Sequence, residues 1–190
     1  MIKTWEELEM ACKTCNRCCL STTRNNVVFG RGNKDARILI IGEGPGADED
    51  MKGEPFVGRA GKLLDNLLCA VGISQDEIYI ANIVKCRPPQ NRVPTQEEAR
   101  ICINYLRNQV YLQKPNIIVC LGNTASRYVL ECEVKITEMR GKWIEKKNVL
   151  IMPTFHPAAL LRDGSKKIPM FEDLKKVRDK IIELKEGKNI

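Results

Sequence analysis

Cysteines are the residues of this chain whose number and spacing most readily suggest chemistry. The chain has nine of them; Cys12 and Cys15 form a CxxC pair, and a second pair, Cys86 and Cys102, lies much further along. An odd number in a chain of cytosolic type argues against disulfides. Four thiolates from two separated segments suit a structural zinc ion or an iron–sulfur cluster, with zinc slightly favoured by chemistry alone. Unliganded thiols near the surface are the remaining interpretation of the CxxC pair.

The other cysteines carry less chemical information. Cys18 and Cys19 follow the CxxC pair directly. Three more lie in apolar patterns, where cysteine usually acts as a small buried hydrophobic residue: Cys69, Cys120 and Cys132.

A glycine-rich turn, Gly42–Gly46 (GEGPG), follows an apolar run. It is not a phosphate-binding P-loop, because no Lys-Ser/Thr follows, and its spacing does not match GxGxxG. The turn instead presents backbone N–H groups and the carboxylate of Glu43 to a small ligand. An ordinary solvated loop acid is the alternative role for Glu43 at this point.

The surrounding pattern predicts the elements that position these residues. Short apolar runs alternate with amphipathic stretches, which indicates a parallel sheet covered by helices on both faces. The predicted strands are 36–41, 77–84, 116–121 and 148–153, and the predicted helices are 61–71, 95–112, 123–130 and 171–184. We therefore expect an α/β fold, a three-layer α/β/α domain with about four central parallel strands. It occupies residues 1–190, with a cysteine-bearing N-terminal segment over residues 1–35.

Ligands of open parallel sheets bind beyond the carboxyl ends of the strands. The residues expected there include a glutamate in a glycine turn, an asparagine late in a strand and the only histidine of the chain. The segments that meet at this edge are 42–46, 82–87, 122–123 and 154–157.

Composition limits the classes of function. The 190 residues are 43% hydrophobic and 29% charged, as in globular proteins, and no apolar run is long enough to cross a bilayer. The start, MIKTWEELEM, carries acids where a signal peptide is apolar, so an intracellular protein without membrane contact is expected. The net charge of +7 permits an anionic partner, most commonly nucleic acid.

Four motifs, taken together and in order, resemble the family 4 uracil-DNA glycosylases, the iron–sulfur enzymes of thermophilic bacteria and archaea. They are GEGPG with the acids at 48–50, PFVGRAG at 55–61, NIVKCRPPQNRVP at 82–94 and HPAALLR at 156–162. The resemblance covers nearly the whole chain. It implies a uracil-DNA glycosylase-like fold and a monofunctional enzyme of base excision repair, which flips uracil out of DNA and hydrolyses its glycosidic bond.

The resemblance also implies the cofactor and partners. A structural [4Fe–4S] cluster held by Cys12, Cys15, Cys86 and Cys102 replaces the preference for zinc, whereas Cys18 and Cys19 do not match ligand positions. The expected partners are single- or double-stranded uracil-containing DNA and free uracil as the product. The enzyme is expected to be a cytoplasmic monomer.

Site residues follow from the same motifs. Glu43 is expected to orient water and favour the cationic sugar, and His156 to donate a hydrogen bond to uracil O2. Phe56 is expected to stack on the base and Asn82 to read its edge. The other expected uracil-binding residues are Gly42, Gly44 and Glu49, of which Glu49 would exclude the methyl group of thymine.

Expected DNA contacts are a leucine wedge, Leu160 and Leu161, followed by Arg162. Ordinary helix packing is the alternative for both leucines. Candidate phosphate contacts, chosen on charge alone, are Lys85, Arg87, Arg92, Arg140 and Lys142.

Two functions of other classes compete with the glycosylase. A binding or redox module would use the cluster itself, and a basic nucleotide-binding protein would leave the four cysteines unexplained. A relative that traps uracil-DNA covalently carries an inserted basic loop with a histidine, whereas the only histidine here is His156.

Overall fold

The computed structural model describes residues 4–187, so the predicted bounds of 1 and 190 lie outside the described residues. Six strands form one sheet in the order β1-β3-β2-β4-β6-β5. The strands are β1 Arg31–Gly32, β2 Ile38–Gly42, β3 Ile78–Asn82, β4 Ile117–Leu121, β5 Ile144–Lys146 and β6 Val149–Thr154.

Four of these strands form the parallel centre of the sheet, as predicted. β3, β2, β4 and β6 pair in parallel, and β1 and β5 add antiparallel edges. The prediction of about four strands missed these edges because they are two and three residues long, too short for an alternating pattern.

Helices cover both faces. They are α1 Trp5–Lys13, α2 Ala47–Lys52, α3 Arg59–Ala70, α4 Gln96–Gln113, α5 Gly122–Leu130, α6 Ile136–Met139, α7 Pro157–Arg162 and α8 Lys167–Glu186. α4 begins with the predicted capping box: Thr95 Oγ1 accepts from the Glu98 N–H and the Glu98 carboxylate accepts from the Thr95 N–H. No helix within residues 4–187 has the length and apolar character needed to span a membrane.

The period-two alternation of the strands divides the core. In β2, Leu39 and Ile41 pack on the side of α1, α4 and α5, whereas Ile38 and Ile40 pack on the side of α3 and α8. The observed architecture is therefore the predicted three-layer α/β/α sandwich. Because the central strands are parallel, β2, β3, β4 and β6 all end at one edge, and segments distant in sequence meet there.

Candidate active site

A cavity of about 770 Å³ opens at this edge. Six of the predicted uracil-site residues line it: Glu43, Gly44, Glu49, Phe56, Asn82 and His156. Gly42, the seventh, lies beside them, because a Cβ at this position would collide with Asn82 Oδ1 and with the Phe56 ring. The parallel topology thus assembles residues from four segments into one site.

The inner wall combines an aromatic ring with an amide. Asn82, the last residue of β3, is 2% exposed, and its Oδ1 has no hydrogen-bond partner among the described residues. A buried acceptor without a donor costs about 1–3 kcal/mol, so this oxygen is suited to a ligand N–H. Phe56 has a left-handed backbone conformation, with φ 56°. Only glycine fits at position 61, because a Cβ there would collide with the Phe56 backbone.

His156 is the N-cap of α7, and its hydrogen bond fixes the tautomer. Its Nδ1 accepts from the Ala158 N–H at 3.2 Å, and its ring centroid lies 5.7 Å from that of Phe56. Burial, with a smaller contribution from the charge of Arg162, lowers the pKa of His156 to about 4. The imidazole is therefore neutral at pH 7, with its proton on Nε2 as a free donor.

Glu43 is held by a residue that the sequence did not single out. The Thr124 hydroxyl, in the first turn of α5, donates a hydrogen bond to Glu43 Oε2. Glu49 is also fixed: its carboxylate accepts from the Gly46 N–H at 3.0 Å at the start of α2. Both carboxylates thus have a defined orientation on the cavity wall.

The loop between β3 and α4 forms a further part of the wall. Arg92 pairs with Glu98 through two hydrogen bonds of 2.7 and 2.8 Å, and Arg87 donates to Asn91 at 2.8 Å. Several further wall residues were not predicted as site residues: Asn91, Val93, Asn123, Thr124 and Phe155. All but Thr124 lie in the 82–94 motif or in the segments expected at this edge, whereas nothing in the sequence marks Thr124.

Some predicted DNA contacts are wrong. Lys85 is 1% exposed and donates to Gln109, so it cannot reach a phosphate. Leu160 is 1% exposed in the core beneath α7, whereas Leu161 is 45% exposed. Arg140 pairs with buried Asp173.

Three of the remaining basic candidates keep the exposure that a phosphate contact requires. Arg92, Lys142 and Arg162 are exposed, Arg92 and Arg162 lie on the cavity wall, and Arg87 is half-buried. The charge of Arg92 is already paired, as described above.

The predicted cysteines meet at a second, much smaller cavity. Cys12, Cys15, Cys86 and Cys102 all line it, and so does Cys18, which does not match a ligand position of the resemblance. Burial raises the pKa of Cys12 and Cys102 to about 12. No set of three or more potential ligand side chains within residues 4–187 is arranged to hold a metal ion.

The three cysteines that lie in apolar sequence patterns differ in exposure. Cys120 is buried as predicted, but Cys69 and Cys132 are exposed, and for these two the prediction is wrong. Both lie near helix ends, where an apolar neighbour in sequence does not ensure burial.

Comparison with known proteins matches the chain, over residues 29–180, to the family model described as "Uracil DNA glycosylase superfamily". The chain belongs to this superfamily. A Type-4 uracil-DNA glycosylase of Thermotoga maritima is 46% identical over 172 residues, 87% of this chain and 88% of the relative. Proteins of the same name from Archaeoglobus fulgidus and Sulfurisphaera tokodaii are 42% identical (86% of each chain) and 39% identical (92% of this chain, 83% of the relative).

Membership of the uracil-DNA glycosylase superfamily confirms the resemblance on which the sequence predictions rested, and it agrees with the α/β architecture. The matched region, 29–180, contains the whole uracil-site constellation and begins after the cysteine-bearing segment 12–19.

Proposed function

We propose that this chain is a monofunctional uracil-DNA glycosylase that removes flipped-out uracil from DNA by hydrolysis, leaving an abasic site and free uracil for base excision repair. The observation that carries the proposal is the unpartnered, buried Asn82 Oδ1 in a cavity shared with Phe56, His156 and Glu43. The names of the relatives from Thermotoga maritima, Archaeoglobus fulgidus and Sulfurisphaera tokodaii agree with it.

Recognition of uracil follows from the inner wall. Asn82 Oδ1 would accept from uracil N3–H while its Nδ2 donates to O4, and Phe56 would stack on the ring. Cytosine presents the opposite donor and acceptor at these two positions, which leaves buried polar groups unpaired and rejects it strongly. The Gly44 backbone would contact the base, and Glu49 would close the pocket near C5, against the methyl group of thymine.

Bond cleavage uses His156 and Glu43. As the C1′–N1 bond breaks, its electron pair leaves with uracil, and Nε2–H of His156 would stabilise the negative charge that develops on O2. The Glu43 carboxylate would stabilise the cationic sugar and orient the water that adds to C1′. Both cationic side chains on the described wall, Arg92 and Arg162, are arginines rather than amine nucleophiles, which supports hydrolysis by water.

DNA would approach across α7 and the loop at 87–94. A base inside a duplex must be extruded before it reaches this cavity. Exposed Leu161 is the apolar side chain we propose to enter the vacated stack, with Arg162, Arg87, Arg92 and Lys142 facing phosphates. We propose that residues 1–190 act as one domain and one monomer, on single- or double-stranded DNA in the cytoplasm.

We also propose a structural [4Fe–4S] cluster at the cysteine cavity. The residues fit such a group: thiols from two separated segments face one small cavity, and cationic side chains surround them. Cys12, Cys15, Cys86 and Cys102 are the ligands implied by the resemblance. When bound, the cluster would tie the N-terminal segment to α4 and the 87–94 loop.

The structure adds Cys18 as a rival to Cys12 for the fourth ligand, because Cys15 and Cys18 also have CxxC spacing. Single Cys→Ser variants, measured by iron per chain and visible absorbance, distinguish the ligand set that includes Cys12 from the one that includes Cys18. We expect loss of iron for Cys15, Cys86 and Cys102, and for only one of Cys12 and Cys18. Full iron in all five variants would contradict the proposed site.

The activity is tested with a labelled oligonucleotide that contains one deoxyuridine, followed by alkali to cleave abasic sites, with thymine and cytosine controls. We expect uracil-specific cleavage over many turnovers. The variant Asn82→Ala should lose about 100-fold in kcat/KM, the loss expected from two hydrogen bonds, while exposed Asn104→Ala should keep full activity. Absence of abasic product from iron-loaded protein would overturn the proposal and favour a binding or redox module.

A further inference from the structure

Lys85 is a buried cation without an anionic partner. Its side chain is fully enclosed, and its Nζ donates to the neutral Gln109 Oε1 at 2.7 Å. Within the described part of the chain no carboxylate lies at ion-pair distance from Lys85. Burial of an uncompensated ammonium group costs several kcal/mol, so a single amide contact does not explain its position.

The environment of Lys85 shows where a compensating charge would lie. Lys85 lines the cysteine cavity, and its backbone N–H donates to Cys102 Sγ at 3.2 Å. Cys12 and Cys102 lie on the wall of the same cavity. An anion held by the cysteines would therefore lie beside this ammonium group.

Two arginines complete a cationic shell around the same cavity. Arg24 Nη1 donates to Cys86 Sγ at 3.3 Å, and Arg17 lies on the wall. No aspartate or glutamate is among the described residues of that wall. Neutral thiols do not need three cations around them, but a cluster with four thiolates carries a net negative charge, and nearby charge helps to set the potential of such a cluster.

We propose that Lys85, with Arg24 at the rim, is the built-in counter-charge of the cysteine-held cluster, so that the cluster and the buried ammonium group stabilise each other. The inference rests on the proposed cluster and assigns Lys85 a role beyond ligation. Lys85 is not among the described residues that line the uracil-site cavity, and it is a positioning residue for the cluster rather than a catalytic residue.

A structural role alone makes a different prediction. If Lys85 served only to join β3 to α4 through Gln109, its removal would destabilise the protein whether or not iron is bound. As a counter-charge, Lys85 stabilises the iron-loaded protein and destabilises the iron-free protein, in which neutral thiols leave the ammonium group uncompensated. The sign of the effect therefore separates the two roles.

The test compares Lys85→Met with wild type, with Lys146→Met as a control for loss of a lysine that pairs with Glu131 far from the cavity. Urea unfolding is measured on anaerobic iron-loaded protein and on chelator-stripped protein. Loss of iron to the chelator and the midpoint potential of the cluster are measured on the loaded form.

We expect Lys85→Met to raise the urea midpoint of the stripped protein, to release iron about tenfold faster, and to shift the potential to more negative values. Arg24→Met, at the rim of the cavity, should shift the potential in the same direction. This variant provides the test if Lys85→Met does not fold. An unchanged midpoint potential in the variants that fold would overturn the counter-charge. So would a change of the urea midpoint that has the same sign in the iron-loaded and the stripped protein.

Wild-type protein that is purified anaerobically without any iron, and that still excises uracil, would overturn both the cluster and this inference while leaving the glycosylase standing. Iron-loaded wild type with normal excision and an unaffected Lys85→Met variant would overturn this inference alone.

Discussion

Arg92 and Glu98 form a forked ion pair that joins the two cavities of the molecule. Arg92 lies on the wall of the uracil-site cavity, and Glu98 is buried in the first turn of α4, the helix that carries Cys102. The Glu98 carboxylate also accepts from the Thr95 N–H at 2.8 Å and from Cys19 Sγ at 3.1 Å. One carboxylate thus fixes the 87–94 loop, the start of α4 and the cysteine segment together.

Replacement of this carboxylate should therefore loosen both regions. We expect Glu98→Gln to lower the free energy of unfolding by about 3 kcal/mol, because it leaves a buried network half satisfied. It should also raise KM for uracil-DNA more than it lowers kcat, since the loop rather than the reacting groups is released. Urea unfolding and steady-state kinetics measure the two effects. The neighbouring exposed Glu97→Gln is the matched control, and equal behaviour of the two variants would contradict this role.

The ion pair between Arg92 and Glu98 should also make the stability of the protein depend on pH in the acid range. The Arg92 guanidinium, with the Thr95 N–H, lowers the pKa of Glu98 to about 2, below its value in the unfolded chain. The unfolded state therefore binds the proton first, so this contribution to stability is complete above about pH 4.5 and is lost as the pH falls towards 2. Unfolding midpoints from pH 6 to pH 2.5 should fall more steeply for wild type than for Glu98→Gln.

His156 offers a direct spectroscopic measurement because it is the only histidine of the chain. With a pKa of about 4, its imidazole should stay neutral down to about pH 5, with the proton on Nε2. Between about pH 6.5 and 4 the unfolded chain binds the extra proton, so stability falls with decreasing pH in that window. A nitrogen-15 NMR titration needs no assignment, and a pKa near 6.5 would contradict a neutral donor at this half-buried position.

Strong local patterns were sufficient to predict the centre of the fold. β2, β3, β4 and β6 are short, mostly apolar and mostly buried runs, and the capping box at Thr95 is a local signal. Because parallel strands end at one edge, the position of Asn82 and His156 in a common site followed from topology and family resemblance.

The remaining features depend on tertiary contacts that sequence does not carry. Lys85 was predicted to lie at the surface because it is charged. It is buried because it directly follows β3 and lies beside the cysteines. The six-residue helix α7 is too short to reveal which leucine faces inward. Thr124 belongs to no motif, and only its position opposite Glu43 across the sheet edge gives it a role.

Thr124 should matter to catalysis through Glu43. The near-isosteric Thr124→Val removes the hydroxyl that orients the carboxylate, and we expect kcat to fall about tenfold with little change in KM, the value of one hydrogen bond to a charged group. Thr124→Ser should restore the rate. In a Glu43→Ala background, Thr124→Val should have no further effect, and additive losses in this double-mutant cycle would show that Thr124 acts independently.

The adjacent leucines of α7 provide a matched pair for the DNA contact. Leu160 is buried in the core, so Leu160→Ala should lower the free energy of unfolding by about 2–5 kcal/mol. Leu161 is exposed, so Leu161→Ala should leave stability within about 0.5 kcal/mol of wild type. If Leu161 fills the space left by a flipped base, its removal should reduce excision from duplex DNA more than from single strands, since only the duplex has a paired stack to refill. Kinetics on the same uracil sequence in both forms measure that ratio, and an equal loss on both substrates would mean that Leu161 does not act as the wedge.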